Sequence, residues 1–298
     1  MFNSVRLFQR TLAPLIVALA GAGMAVPALA FNVNPIGPGQ ATKWGSNNVG
    51  TPGGVVTWSL MADGTTQDAS VAALGFVGSS NLSSVFAQVG GSAPALAAIG
   101  AAFAAWQSVA NLSFVQVAES GGLPFGAAYG SPTAVVGHIR IGAFAFAPGD
   151  FTGAVGYSPP PNGGTTLEGD VIFNSNNRFG IPAGNEGDLY ALYPGPSFTY
   201  LNDFAGLVAH EIGHALGLAH TDVSTALMCG YVSPAFTGSS CYWADPDLDF
   251  MAPITRLPKA DDILGIQYLY TAPVPEPGTW ALWLGGLALL GGCLRKQR

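Results

Sequence analysis

Between Pro94 and Val109 the apolar positions recur every three or four residues. Leu96, Ile99, Phe103, Trp106 and Val109 would line one face of a helix, and Pro94 suits its first turn. Trp106, on that face, is expected to pack in the core. The period then changes. Runs rich in β-branched residues at 112–117 and 135–141, and two more at 153–157 and 169–173, read as strands separated by Gly, Pro and Asn loops. A second helix is predicted over about 203–216, with an N-cap offered by Asn202-Asp203. A last helix begins near Asp261. The pattern predicts an α+β fold, a twisted and mostly parallel sheet with helices against it.

The predicted helix at 203–216 carries the chemistry. From His210 to His220 the chain reads H-E-x-x-H-x-x-G-x-x-H. His210 and His214, four residues apart, project from one helical face and can share a zinc ion. Glu211 lies about 100° around the helix from His210, so its carboxylate can stand beside a metal rather than on it. Gly217 can take the left-handed conformation that ends a helix, and the turn would return His220 as third ligand. Three protein ligands leave one tetrahedral position open for water, which marks a catalytic zinc. Histidine is scarce here: three of the four residues fall in this motif, and the fourth is His138. With that ligand set, Glu211 is the candidate general base for hydrolysis of peptide bonds.

This motif resembles that of the metzincin metallopeptidases, and within them the matrixins. Ala226-Leu227-Met228 is similar to the family's Met-turn, with Met228 as an apolar floor beneath the ligands. Lys43-Trp44 and the run from Val55 to Leu60 resemble the opening strand. Ala102 to Val109 and Leu112 to Val117 resemble the first helix and next strand. Gly169-Asp170-Val171-Ile172-Phe173-Asn174 resembles a G-D-x-H-F-D strand with substitutions, and Asp261 to Tyr270 resembles the last helix. The resemblance implies a metzincin-like fold with an active-site helix and a C-terminal helix. It also implies that Gly153-Ala154-Val155-Gly156 is an edge strand whose Ala154 and Val155 pair with extended substrate, giving affinity with little sequence preference. Tyr231 and Pro234, beyond the Met-turn, are candidate walls of the primed-side specificity pocket.

The chain departs from that family at its other metal sites. Matrixins hold a structural zinc with three histidines and an aspartate, but the matching positions here include Val155 and Ile172, both apolar. Residue by residue, the resemblance implies one zinc. The family's calcium-binding acids match the neutral Asn174 and Asn177. Asp245, Asp247 and Asp249 offer alternate carboxylates that can bind calcium or form a solvated acidic loop.

Both ends read as addresses. Residues 1–30 have a positive start, an apolar stretch and an Ala28-Leu29-Ala30 cleavage site, the pattern of a secretory signal peptide. At the other end Val274-Pro275-Glu276-Pro277 precedes an uncharged run to Leu294 and a basic tail, residues 274–298 in all. This order resembles the PEP-CTERM sorting signal, implying a transmembrane helix, an exosortase-type processing enzyme as partner, and a transient membrane anchor. The division expected is therefore signal peptide 1–30, leader 31–50, peptidase domain 51–273 and sorting tail 274–298.

Charge and cysteine usage agree with export across the inner membrane to the cell surface or beyond. Residues 31–273 carry five Lys and Arg against sixteen Asp and Glu, a net charge near −11. That balance argues against a nucleic-acid partner and leaves a peptide or protein as the substrate of an expected monomer. Cys229 and Cys241 are the pair left outside the tail, and an oxidising compartment favours a disulfide between them. Two other readings stay open from sequence: a non-catalytic surface protein on the same scaffold, and a zinc amidase acting on cell-wall peptides.

Overall fold

A computed structural model describes residues 31–128, 134–161, 164–193, 200–230 and 251–274. The N-terminal segment forms β1 (Asn32–Val33) and a small ladder of β2 (Pro35–Gly37) with β3 (Gln40–Ala41). Then come β4 (Gly54–Leu60), α1 (Leu82–Gln88), α2 (Ser92–Val109), β5 (Leu112–Gln116), β6 (Ile139–Phe144), β7 (Ala154–Gly156) and β8 (Val171–Asn174). A connection holding β9 (Arg178–Gly180), β10 (Leu189–Ala191) and β11 (Leu201–Asp203) leads into α3 (Phe204–Ala215). The chain closes with β12 (Leu218–Ala219), β13 (Met251–Pro253) and α4 (Ala260–Tyr270).

The main sheet has the order β5-β4-β6-β8-β7. β4 runs parallel to β5 and β6, β6 runs parallel to β8, and only the edge strand β7 is antiparallel. This is the mostly parallel α+β sheet that the pattern predicts. β6 is buried at every position, because the sheet is covered on both faces. On one side α2 and α3 pack over it, with Trp58 stacked on Phe103 at 4.9 Å. On the other, Met61, Val71, Phe125, Phe144, Phe146 and Ile172 form a smaller apolar cluster.

α2 buries Ala95, Ile99, Ala102, Phe103 and Trp106 along one stripe, and Pro94 sits in the first turn, where its missing N–H costs nothing. Trp106 is a core residue as expected, and its Nε1 donates to Ala209 O of α3 at 2.9 Å. The strand expected at 135–141 is displaced to Ile139–Phe144. Val135 stays half exposed and makes only a single bridge to Ser120. Gly137 lies so close to β4 that a β-carbon would come within 2.6 Å of Ser59 N, and the ladder forms only after that contact.

Residues 31–50, set apart from sequence as a leader, are packed into the fold. β1 pairs antiparallel with β12. Trp44 Nε1 donates to Ala215 O at the end of α3 (2.8 Å). The buried Lys43 donates from Nζ to Trp44 O, Ser46 O and Thr51 Oγ1, and lies 4.6 Å from the centre of the Tyr270 ring. Tyr270 in turn donates its hydroxyl to Leu216 O and accepts from Trp44 N, both at 2.9 Å. The segment therefore clamps the end of the metal-site helix onto α4.

Candidate metal centre

Asp203 caps α3, its carboxylate accepting from Ala205 N at 3.2 Å. The helix ends at Leu216, and Gly217 follows with φ +101°, where a β-carbon would stand 2.3 Å from Thr42 O. That turn sends β12 back along the helix and delivers His220. Nε2 of His220 then lies 3.1 Å from Nε2 of His210 and 3.0 Å from Nε2 of His214. The three histidines are the cluster of metal-ligating side chains among the described residues, their donor atoms within 4.8 Å of one another.

Two of the rings have a fixed tautomer. His210 Nδ1 donates to Leu227 O (2.7 Å) and His214 Nδ1 donates to Leu218 O (2.8 Å), since a carbonyl can only accept. Their Nε2 lone pairs therefore both face His220, which can offer at most one proton between them. A cation at the centre satisfies all three, and nitrogen donors with anchored outer nitrogens suit zinc. Burial, then the neighbouring histidines, push His210 well below the usual imidazole range; burial and His220 push His214 down to about 4. Burial also lowers His220. All three rings are thus neutral, as ligands must be, at neutral pH.

Glu211 is buried beside them. Burial raises its carboxyl to about 8, against the opposing effect of a hydrogen bond from the Gly156 backbone. Gly156 belongs to the edge strand β7, and a β-carbon there would lie 2.3 Å from Glu211 O, so glycine lets this edge approach the helix. Ala154 and Val155 lie on that edge, where the sequence places the substrate-pairing strand. Met228 is buried, and a β-carbon on Gly213 would stand 2.2 Å from its Sδ. It packs against α3 at Gly213.

A cavity of about 90 Å³ opens beside His210, between α3, residues 224–229, β13 and the connection that holds β10 and β11. Cys229 lines it; Tyr231, Pro234 and Cys241 lie outside the described residues, as do Asp245, Asp247 and Asp249. Sequence reasoning missed Tyr190 and Tyr200 in its wall. It also missed Asp262, which accepts from Leu227 N and Met228 N at 2.8 and 2.9 Å.

Among the described residues, the positions that match the family's other metal sites carry other contacts. Val155 and Ile172 are Cα partners between β7 and β8, and Ile172 is fully buried. His138 accepts from Thr57 N at Nδ1 and packs on Trp44 with ring centres 5.3 Å apart. Asn174 and Asn177 donate their amides to the carbonyls of Asp150, Phe151 and Thr152, at 2.9–3.2 Å. The two amides hold that loop through its carbonyls.

Comparison with known proteins agrees with this geometry. Residues 91–271 match the matrixin family model, and residues 273–298 match the PEP-CTERM protein-sorting motif. Karilysin of Tannerella forsythia is 28% identical over 192 residues, 61% of this chain and 29% of its own. Metalloendoproteinase 5-MMP of Arabidopsis thaliana is 30% identical over 180 residues, 57% and 37% of the two chains. Macrophage metalloelastase of Rattus norvegicus is 32% identical over 120 residues, 32% and 22%. The chain thus spans between about a fifth and two fifths of these relatives' own lengths. With the family model covering more than half of its residues, from α2 through the histidine cluster to α4, the chain belongs to the matrixin family.

Proposed function

We propose that this chain is an exported zinc endopeptidase, with one zinc held by His210, His214 and His220 and with Glu211 as general base. The observation that carries the reading is the convergence of three Nε2 atoms, two of them on anchored rings, beside one buried carboxyl. Zinc bound there supplies a Lewis acid and lowers the pKa of a bound water towards neutrality. Glu211 takes the proton of the attacking water and hands it to the departing amine, so no covalent intermediate with the protein is needed. The carbonyls of Leu227 and Leu218 hold the ligand rings in orientation through Nδ1. The edge of β7 aligns an extended substrate backbone along Ala154 and Val155, and the cavity beside His210 receives one substrate side chain.

Three further assignments accompany this reading. Cys229, buried and disulfide-bonded, pairs with Cys241 and stiffens the segment bordering the cavity. The sorting tail is processed by an exosortase-type enzyme after serving as a membrane anchor, and residues 1–30 direct export. Asp245, Asp247 and Asp249 are the candidate ligands for calcium. The direct test is to incubate the exported protein with a proteome-derived peptide library, with and without a zinc chelator. Cleavage that stops with chelation and returns with zinc is expected; absence of any cleaved peptide would defeat the proposal.

A further inference from the structure

Charge is spread unevenly over this acidic chain. Residues 31–62 hold one charged side chain, Lys43, which is buried. Residues 69–118 and 263–275 hold none, and no histidine either. The fold brings the three stretches together at one end of the molecule. Asn111 N donates to Thr271 O, just past α4, and Gly53 N, just before β4, donates to Asn111 O, both at 3.0 Å. Gly50 N donates to Tyr268 O at 2.8 Å, and Gln267 Nε2 to Val109 O at 3.0 Å. Asn48, Pro52 and Gly54 are exposed here, with Val55 and Val274 each more than half exposed.

Among the described residues of these elements, carboxylates begin further along. On α4 Asp262 precedes Tyr270 by eight residues, about 12 Å of helix. Glu119 meets the sheet at Ser59, whose Oγ donates to it at 2.8 Å; Ser59 is five residues beyond Gly54, about 16 Å of strand. The edge strand β7 stands farther still. Gly156 is level with Val171, Val171 with Ile141, and Ile141 with Leu60, six residues beyond Gly54. That is about 20 Å along the strands and, over three strand spacings, about 14 Å across them, so β7 lies roughly 25 Å from the start of β4. The chain leaves the fold at the uncharged end. The sorting motif begins at residue 273, and its uncharged run starts at Gly278. From Thr271 to Gly278 the chain can reach at most about 25 Å, whatever its conformation.

We propose that, while the tail anchors the chain, this uncharged end lies against the lipid bilayer and the β7 edge faces away from it. The orientation rests on the anchor reading above and adds which surface meets the membrane. A leaflet containing anionic lipids repels carboxylates over about a Debye length, roughly 10 Å. With a net charge near −11 over residues 31–273, the domain approaches such a leaflet most easily through the end that carries no carboxylate. Val55 and Val274 add apolar contact at the boundary, and the tether is too short for the domain to stray far. Gly156 of β7 packs against Glu211, so the histidine helix is held out with that edge. The site therefore stays open to peptides in solution before the tail is removed, and anchoring alone does not shut it.

The test places the exported chain, tail intact, in vesicles of phosphatidylethanolamine and phosphatidylglycerol that carry a headgroup nitroxide. With Cys293→Ser as background, a fluorophore is attached at Val55→Cys or at Phe151→Cys, the latter an exposed position three residues ahead of β7; the background protein without an added cysteine corrects for label elsewhere. Nitroxide quenching should be several-fold stronger at the first position than at the second. With the label moved to Asn48→Cys, Val55→Glu combined with Val274→Glu should weaken quenching, and the matching glutamine pair should keep it. Equal quenching at the two positions, stronger quenching ahead of β7, or no response to the glutamates would overturn the orientation while leaving the anchor in place. So would a disulfide between two Val55→Cys chains that shields the position from lipid, since the face would then lie between copies. Failure of the tail-bearing chain to float with the vesicles would overturn anchor and orientation together.

Discussion

The carboxylate of Asp262 accepts the backbone N–H of Met228 at 2.9 Å, joining the first turn of α4 to the segment that anchors His210. The same carboxylate takes Leu227 N at 2.8 Å and Lys259 N at 2.7 Å, and the residue is almost wholly buried. Leu227 O in turn anchors His210. One side chain thus organises both the start of the last helix and the support of a ligand ring. Asp262→Ala leaves buried N–H groups without partners and should cost about 3 kcal/mol of stability, charged hydrogen bonds and unmet donors each being worth roughly 1–3 kcal/mol. Urea unfolding of the zinc-loaded variant measures this, and a loss under about 1 kcal/mol would show that the contact is dispensable.

Glu211→Gln should retain zinc and the fold while losing nearly all turnover, because the ligands remain and the base does not. His214→Ala should lose the metal itself. Metal analysis alongside peptide hydrolysis separates the two. Substantial cleavage by Glu211→Gln would remove Glu211 from the base role, and full zinc content in His214→Ala would mean that the ligand set is wrong.

The metal-free protein should be most stable in a narrow, mildly acidic range. His214, pushed down to about 4, stays neutral in the fold where the unfolded chain takes up a proton near 6.5. Its contribution is present above about 6.5 and is lost as the pH falls towards 4. Glu211, pushed up to about 8, acts in reverse: the fold holds a proton that the unfolded chain releases near 4.5. That contribution is present below about 4.5 and lost as the pH rises towards 8. His210, pushed down further, and His220 act in the same direction as His214, so thermal unfolding in chelator from pH 4 to 9 should peak near pH 6.5 and decline on both sides of it. Bound zinc favours the ionised Glu211 and should flatten the alkaline side. A metal-free curve level from pH 5 to 8 would contradict this account.

What the sequence made legible was local. The ligand spacing, the Gly217 turn, the Asp203 cap and the apolar face of α2 each depend on residues a few positions apart, and each stands where the pattern put it. The family resemblance added the Met-turn and the edge strand. Hidden were relationships between distant segments. Lys43 and Trp44 look like the start of a strand, but their bonds run to Ala215 and, through Tyr270, to Leu216. Tyr190 sits in a Gly-rich stretch with no periodicity, and only its pairing with Ala252 aims it at the cavity. Asp262 could have been suspected as an acid three residues into a helix, bonding back to Lys259 N. Its grip on residues 34 and 35 positions earlier could not.

A Cys229–Cys241 bridge would close a loop of 13 residues, worth roughly 3 kcal/mol in the chain-entropy model. Cys229 lines the cavity beside His210, so the bridge should also bear on substrate affinity. Cys229→Ser with Cys241→Ser is expected to lower the unfolding free energy by about that amount and to raise KM more than it lowers kcat. Alkylation and mass spectrometry of the non-reduced exported protein, finding both thiols free, would refute the pairing.

Metal stoichiometry separates this chain from the two-zinc pattern that the matrixin resemblance implies when taken whole. A tetrahedral zinc needs four N, S or O ligands. At the matching strand positions the chain presents Val155 and Ile172, facing each other across β7 and β8, and Ile172 has no exposed surface. An ion buried there would have its charge uncompensated. The remaining histidine cannot make up the deficit: His138 already accepts from Thr57 N at 3.0 Å, packs against Trp44, and is one ligand where several are required. The apolar pair instead contributes to the cluster around Phe125 and Phe144, so packing takes over the stabilising task of a structural ion. One zinc per chain is therefore expected, held by His210, His214 and His220. Elemental analysis of exhaustively dialysed protein should give a ratio near one, falling towards zero in His214→Ala. A stable ratio near two, with the second ion surviving His220→Ala, would show a second site that Val155 and Ile172 do not preclude.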